Sequence, residues 1–182
     1  MKNDEIKSIK NLENIQDLLL ELPEFKYQKG LTDKLDNKKD DFTYETMLEI
    51  VLWKTNRFPE IDNDLIVKIN ALRKGYDEDL SDNILIKLLD SKGFDLPMAS
   101  TFLRFIDSDY FQIIDQRVYR ILYGENLKIP FSKSKKFELY KKYLIDLKEA
   151  CITHNIPFSK SDRVLYLLDK HPQVNKDQKI KY

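Results

Sequence analysis

Apolar residues recur at helical spacing along most of the 182-residue chain. In the longest such pattern, at residues 132–155, apolar side chains three and four positions apart form one stripe, and the opposite face is rich in lysine. This stripe consists of Phe137, Tyr140, Leu144, Leu147 and Cys151. The same spacing predicts shorter helices up to about residue 25, from Thr43 to about residue 57, from Asp62 or Asn63 to Gly75, from Ser81 to Gly93, and from Ser161 to just before Pro172.

Polar stretches separate these patterns. Residues 26–42 are highly charged and contain Gly30, which predicts a long mobile connection, and the polar tail after Pro172 is expected to be frayed. The expected parts are an N-terminal helix with its polar connection at 1–42, a helical core at 43–170 and a polar C-terminal tail at 171–182. The sequence therefore predicts an all-α fold with one continuous core.

Composition narrows the class of protein. Apolar residues at 42% and aromatic residues at 12% exclude a disordered chain, while 34% charged residues favour helices with solvated faces. Cys151 is the single cysteine, which excludes disulfides, cysteine zinc sites and four-cysteine iron–sulfur clusters within one chain. His154 and His171 have no ligand-like partners, so neither a metal site nor a cofactor is expected.

Two features bear on location. No stretch approaches the roughly 18 to 20 apolar residues of a membrane span. The N-terminus alternates charges where a signal peptide is apolar. We therefore expect a cytoplasmic protein without a membrane partner.

The net charge is zero, but the charges are unevenly distributed. Residues 1–114 carry 16 Lys and Arg against 23 Asp and Glu, a balance of −7, whereas residues 115–182 carry 15 against 8, a balance of +7. The basic half is compatible with a polyanionic partner, because distant acidic groups are screened within about 10 Å at 0.1 M salt. Alternatively, the two halves attract each other, or the helices are simply solvated.

A glycine turn joins two of the predicted helices. After the turn, Pro97 stands in the first turn of the new helix, where its missing N–H costs nothing. Such a turn points free backbone N–H groups outward, and these attract anions such as a DNA phosphate. The structural alternative is an ordinary helix stop and restart. The hairpin residues expected to contact DNA are Lys92, Gly93, Asp95, Leu96, Pro97 and Met98.

Asp115 follows the short run FQII, residues 111–114, which is apolar except for Gln112 and is the only strand-like stretch. We expect this run to pass through the interior and to deliver Asp115 to the edge of the core. There it would meet the first turn of the helix that VYRIL begins. The position suits a helix N-cap or a reactive carboxylate, and one side chain can serve both roles.

Residues 80 to 124 resemble the helix-hairpin-helix DNA glycosylase superfamily. In that family a hairpin of the form L-x-G-x-G-x-x-x-A opens a helix, and a catalytic aspartate follows in a segment D-x-x-V-x-R. The residues aligned with these two patterns are Gly93, Phe94, Asp95 and Ala99 for the hairpin, and Asp115, Val118 and Arg120 for the second segment; Leu89 stands two positions before the leucine of the hairpin pattern. Asp115 stands sixteen residues after Ala99, as the family pattern requires. The sequence LPMAS is also similar to an LPxAS turn in a looser bacterial branch.

The resemblance implies a helix-hairpin-helix glycosylase-like domain with Asp115 as the catalytic carboxylate. Two positions depart from the family pattern. Asp95 replaces the second hairpin glycine and brings a negative charge near the proposed phosphate site. Pro97 stands where strand-cleaving members carry a lysine nucleophile, so a Schiff-base lyase mechanism is not expected on this pattern. The cysteines that hold an iron–sulfur cluster in some members are also missing.

Further contacts complete the hypothesis. Arg117, Arg120, Lys135 and Lys136 are candidates for phosphate contacts. The aromatic candidates for a base pocket are Trp53, Tyr110 and Tyr119, and the candidates for a second basic contact are Lys54 and Arg57. We expect a protein that binds double-stranded DNA and resembles base-excision-repair enzymes, with monofunctional DNA N-glycosylase activity as the hypothesis. The alternatives are a catalytically inactive DNA-binding or regulatory protein on the same scaffold and a helical protein-interaction module.

Overall fold

The computed structural model describes residues 7–54, 61–91 and 94–175. These residues form nine α-helices and one short 3₁₀ helix, and they contain no strand, which confirms the all-α prediction for this part of the chain. The α-helices are α1 Ile15–Leu20, α2 Lys29–Asp36, α3 Tyr44–Lys54, α4 Asn63–Lys74, α5 Glu78–Asp90, α6 Leu96–Ile106, α7 Gln116–Tyr123, α8 Lys133–His154 and α9 Ser161–Lys170, and the 3₁₀ helix is Phe158–Lys160. None of the described helices has the length and apolarity needed to cross a membrane.

Helix α6 is the centre of the core. Every residue of α6 except Pro97 is buried, and α3, α4, α5 and α8 pack around it. Asp95 caps the helix by accepting the Leu96 amide at 2.7 Å, and Pro97 occupies its first turn, as the sequence predicts. The end of the hairpin therefore leads directly into the most buried of the described helices.

The N-terminal segment contributes to the same core. Ile9, Ile15 and Leu35 are all buried in it. The prediction of a mobile connection at 26–42 is wrong, because α2 lies within it. Thr32 and Leu35 of α2 are buried, and the Thr32 hydroxyl accepts a 2.7 Å hydrogen bond from the Trp53 indole.

The observed helix ends can be compared with the capping residues predicted from the sequence. The Asp62 side chain accepts the Leu65 amide and confirms the predicted start of α4. Helix α5 starts earlier than expected, because Asp77 caps it, and Ser81 lies inside it with its hydroxyl donating to the Glu78 carbonyl. In the C-terminal tail, Asn175 is buried and donates to Asp169 at 3.2 Å, so the described part of the tail is held in place.

Candidate functional site

A cavity of about 620 Å³ lies where the hairpin, the end of α3 and the start of α7 meet. The N-terminal segment and the start of α9 complete its walls. Seven of the residues predicted from the sequence line it: Trp53, Lys54, Asp95, Pro97, Met98, Asp115 and Arg117. The structure thus brings the hairpin, the proposed catalytic carboxylate and one proposed aromatic residue to a single cavity.

Asp115 is both a helix cap and a cavity residue. Its Oδ1 accepts the backbone amides of Arg117 and Val118, each at 2.9 Å, which confirms the predicted N-cap. Its Oδ2 lies 4.0 Å from Lys54 Nζ, and the side chain remains 24% exposed. One carboxylate oxygen therefore caps α7, and the other faces Lys54, which also lines the cavity.

The backbone that leads to Asp115 is fixed by buried hydroxyl groups. Tyr140 donates to the Gln112 carbonyl at 2.9 Å and Tyr143 donates to the Ile113 carbonyl at 2.6 Å. The hydroxyl of Ser100 in α6 accepts the Ile114 amide at 3.1 Å. Burial raises the pKa of both tyrosines well above the ordinary value, so both phenols keep the proton that they donate. The run 111–114 is buried, as predicted, and its hydrogen bonds to α6 and α8 fix the backbone that leads to Asp115.

Aromatic side chains form one wall of the cavity. The Tyr27 ring meets the Trp53 ring edge to face at 5.1 Å, and Phe25 meets Tyr166 in the same way at 5.9 Å. The Tyr27 hydroxyl also donates to the Trp53 carbonyl at 2.9 Å. Sequence reasoning missed Phe25, Tyr27 and Tyr166. The available signal was the close spacing of Phe25, at the end of the first predicted helix, and Tyr27, near the start of the stretch interpreted as a polar connection.

A group of charges around the buried Arg104 and Asp162 also borders the cavity. Asp162 and Arg163 line the cavity, and Asp162 Oδ2 lies 3.4 Å from Arg104 Nε. Arg104 also pairs with Asp36 at 2.6 Å, and Arg163 pairs with Asp36 as well. Burial raises the pKa of Asp162, although Arg104 and Arg163 oppose this rise. The sequence does not predict these ion pairs, because Asp36, Arg104 and Asp162 lie far apart in the chain.

The two arginines of α7 have different environments. Arg117 lines the cavity, is 26% exposed and pairs with Asp169 at 2.6 Å. Arg120 is only 1% exposed, and its guanidinium binds the fully buried Asp169 carboxylate, with Nη2 at 2.7 Å from Oδ2. The interpretation of Arg120 as a surface phosphate contact is therefore wrong, since its charge is used inside the protein.

The remaining predicted DNA contacts are scattered. Leu96 is fully buried, so its side chain cannot reach DNA. Lys136 pairs with Asp95 at 2.7 Å at the edge of the hairpin, whereas Lys135 is exposed beside it. The candidates Arg57, Lys92 and Gly93 lie outside the described residues.

Two predicted aromatic contacts lie away from the cavity. Tyr110 stacks on Tyr76 with ring centroids 3.8 Å apart, and both residues line a second, smaller cavity. Tyr119 packs against Tyr123, and its hydroxyl reaches Glu125 at 3.5 Å. Neither side chain belongs to the base pocket predicted for it.

Ion pairs connect the acidic and basic halves of the chain. Lys141 of α8 binds both Glu78 and Asp82 at 2.9 Å, and Lys133 binds Asp90. The mutual attraction considered for the two halves is thus present. These contacts reduce the free positive charge on α8.

The chemical groups that line the cavity are carboxylates, guanidinium groups, one lysine amine and aromatic rings. Among the residues that the structure describes, no three His, Cys, Asp or Glu side chains come together in a way that could hold a metal ion. The comparisons with known proteins assign no family. No family model, no curated protein and no solved structure matches this chain.

Proposed function

We propose that the protein binds double-stranded DNA and hydrolyses the N-glycosidic bond of a base that has turned out of the helix into the cavity. The observation that carries this proposal is the position of Asp115. Its carboxylate is fixed by two backbone amides, yet it lines an aromatic cavity directly beside the hairpin. Such a fixed charge in a partly enclosed site can stabilise positive charge that develops in a transition state.

The chemistry follows from that position. As the bond between C1′ and the base nitrogen breaks, positive charge develops on the sugar, and a carboxylate beside C1′ lowers the energy of this oxocarbenium-like state. Asp115 can also orient the water that attacks C1′. The products are the free base and an intact strand with an abasic site.

The cavity has the size and the surfaces that a base requires. Its volume of about 620 Å³ falls within the roughly 300 to 1,000 Å³ of typical small-molecule sites. Trp53 is only 6% exposed and packs between Tyr27 and Phe105, so the aromatic surfaces for stacking are those of Tyr27 and Tyr166, which also line the cavity. Asp162 and Arg163 supply polar groups that could distinguish one base from another.

The hairpin offers a specific phosphate contact. The Leu96 amide donates to Asp95, the Ala99 amide donates to the Asp95 carbonyl, and Pro97 has no amide hydrogen. Among the described residues, Met98 is the residue of the first turn of α6 whose amide forms no hydrogen bond, and this amide would donate to a phosphate although Met98 as a whole is only 5% exposed. Lys136, next to Asp95, can supply positive charge at the same place.

A panel of duplex oligonucleotides tests the proposal. Each duplex carries one oxidised, alkylated, deaminated or mismatched base, and alkali reveals abasic sites after incubation. We expect base release from at least one duplex and duplex binding that weakens steeply with salt, with a log–log slope of about −0.9 per phosphate contact. Undamaged duplex is the matched control for base release. Binding without salt dependence would contradict the DNA contact.

A second candidate is a DNA-binding protein on the same scaffold without base release. Two observations favour it. Asp95 places a negative charge at the hairpin, and Arg117 is paired with Asp169 instead of being free for a phosphate. Salt-dependent duplex binding with no base release across the panel supports this candidate. Absence of duplex binding supports the third class, a helical protein-interaction module.

A further inference from the structure

The outer face of α8 carries apolar side chains that the described fold leaves uncovered. Ile145 and Ile152 lie two helical turns apart, and they are 63% and 77% exposed. Lys148 and Glu149 lie between them on the same face. Leu147, on the opposite side of the helix, is fully buried in the core. We call the four exposed residues, 145, 148, 149 and 152, the outer stripe of α8.

A small cavity lies beside one end of the outer stripe. Its volume is about 230 Å³, more than the roughly 150 Å³ that accommodates a benzene ring in a protein core. Ile145 lines it together with Tyr76 and Tyr110, whose rings stack 3.8 Å apart and remain 40% and 46% exposed. Among the described residues, this cavity shares no lining residue with the cavity at Asp115. A partner on the outer stripe can therefore fill the small cavity without covering the other.

The two charges in the middle of the outer stripe have no ion-pair partner among the described residues. Neither Lys148 nor Glu149 forms an ion pair there, and no residue three or four positions from either one carries the opposite charge. Lys141, earlier on the same helix, differs because it binds Glu78 and Asp82 at 2.9 Å. The outer stripe thus offers one positive and one negative charge to a partner.

We infer that a second copy of this chain docks on the outer stripe, with the two α8 helices antiparallel about a two-fold axis between residues 148 and 149. In this register Ile145 of one copy faces Ile152 of the other, which brings an apolar side chain to the small cavity. Lys148 of each copy faces Glu149 of the other, so one surface supplies both halves of every contact.

Charge complementarity selects this arrangement. A parallel pair of α8 helices in register would place Lys148 opposite Lys148 and Glu149 opposite Glu149, and like charges across an interface repel. The antiparallel pair turns both repulsions into attractions. Since the apolar contact is small, we expect a dimer that dissociates on dilution. The inference does not depend on DNA binding or on base release.

Sedimentation equilibrium of the purified full chain at several concentrations tests the inference. We expect a monomer–dimer equilibrium. Lys148→Glu and Glu149→Lys each place like charges opposite one another, and each should weaken dimerisation roughly tenfold. The double variant Lys148→Glu/Glu149→Lys restores opposite charges and should return dimerisation close to the wild-type strength. Lys170→Glu, which changes an exposed lysine of α9, is the matched control and should leave dimerisation unchanged.

The double variant also controls for folding, because its recovery excludes misfolding as the reason for the losses in the single variants. Weakening by each single reversal together with recovery in the double variant supports the inference. A chain that stays monomeric at every concentration overturns it and leaves the outer stripe to a different protein. A dimer that the single reversals do not weaken, or that the double variant does not restore, overturns the antiparallel register.

Discussion

Two aspartates hold helix α7, and their surroundings differ. Asp169 is fully buried, and its carboxylate is surrounded by the guanidinium groups of Arg117 and Arg120 and by the side-chain amide of Asn175. Asp115 is 24% exposed, and its described partners are two amides on one oxygen and a lysine 4.0 Å from the other. Both contact the same helix, but of the two only Asp115 lines the cavity at the hairpin.

The difference separates a structural carboxylate from one that can react. A buried carboxylate surrounded by donors has no face left for a substrate, and removing it leaves uncompensated charge. A partly exposed carboxylate with one oxygen on a helix end can meet a substrate without losing its fold contact. We therefore expect substitutions at Asp169 to lower mainly the stability of the fold, and substitutions at Asp115 to lower mainly the rate of base release.

The largest effect on stability is expected at Asp169. Asp169→Asn removes the buried negative charge that pairs with Arg117 and Arg120, which should reduce the free energy of unfolding by roughly 3–5 kcal/mol. Denaturant unfolding of the wild type and the variant measures the change. A loss of unfolding free energy no larger than the roughly 0.5 kcal/mol of an ordinary surface substitution would contradict the structural role of Asp169.

A smaller effect is expected at Asp115 itself. Asp115→Ala removes the cap of α7 and should reduce the free energy of unfolding by about 1 kcal/mol. Asp115→Asn keeps a capping oxygen and should reduce the free energy of unfolding by less than Asp115→Ala does. The same denaturant titration compares the two variants, and equal losses would show that the cap depends on the negative charge.

The third carboxylate, Asp162, is expected to make stability depend on pH. Burial raises its pKa in the folded protein, so its contribution is fully present below the ordinary Asp pKa of about 3.9 and is lost as pH rises through the folded pKa. The difference in unfolding free energy between wild type and Asp162→Asn should therefore fall as pH rises from about 4. A difference that grows over this range would contradict the raised pKa.

The smallest effect is expected at Lys135. Lys135 is exposed beside the Lys136–Asp95 pair. Lys135→Glu should weaken duplex binding and reduce the salt slope by about 0.9, the value for one phosphate contact. Filter binding at several salt concentrations measures it. Lys170→Glu, at the end of α9, is the matched control and should leave the slope unchanged.

The sequence predicted correctly those features that depend on residues close to one another in the chain. The run 111–114, the cap at Asp115 and the first turn of α6 with Pro97 could be predicted because each is determined within a few positions of the chain. Arg120 was misassigned because its partner, Asp169, lies 49 residues away and belongs to another helix. Helix α2 was missed for the same reason, since its buried Thr32 is matched to Trp53 in α3. Long-range partners leave no trace in helical spacing.

The most direct test of the central claim is the single-turnover rate of base release by wild type and Asp115→Asn on a duplex that the panel identifies, with protein in excess over DNA. Because one well-placed charge or donor typically contributes about 10² to 10³ in rate, Asp115→Asn should slow release by that factor. Duplex affinity and folding should remain close to wild type, since the asparagine oxygen can still cap α7. Release at an unchanged rate in a folded, DNA-bound Asp115→Asn protein would contradict the catalytic role of Asp115.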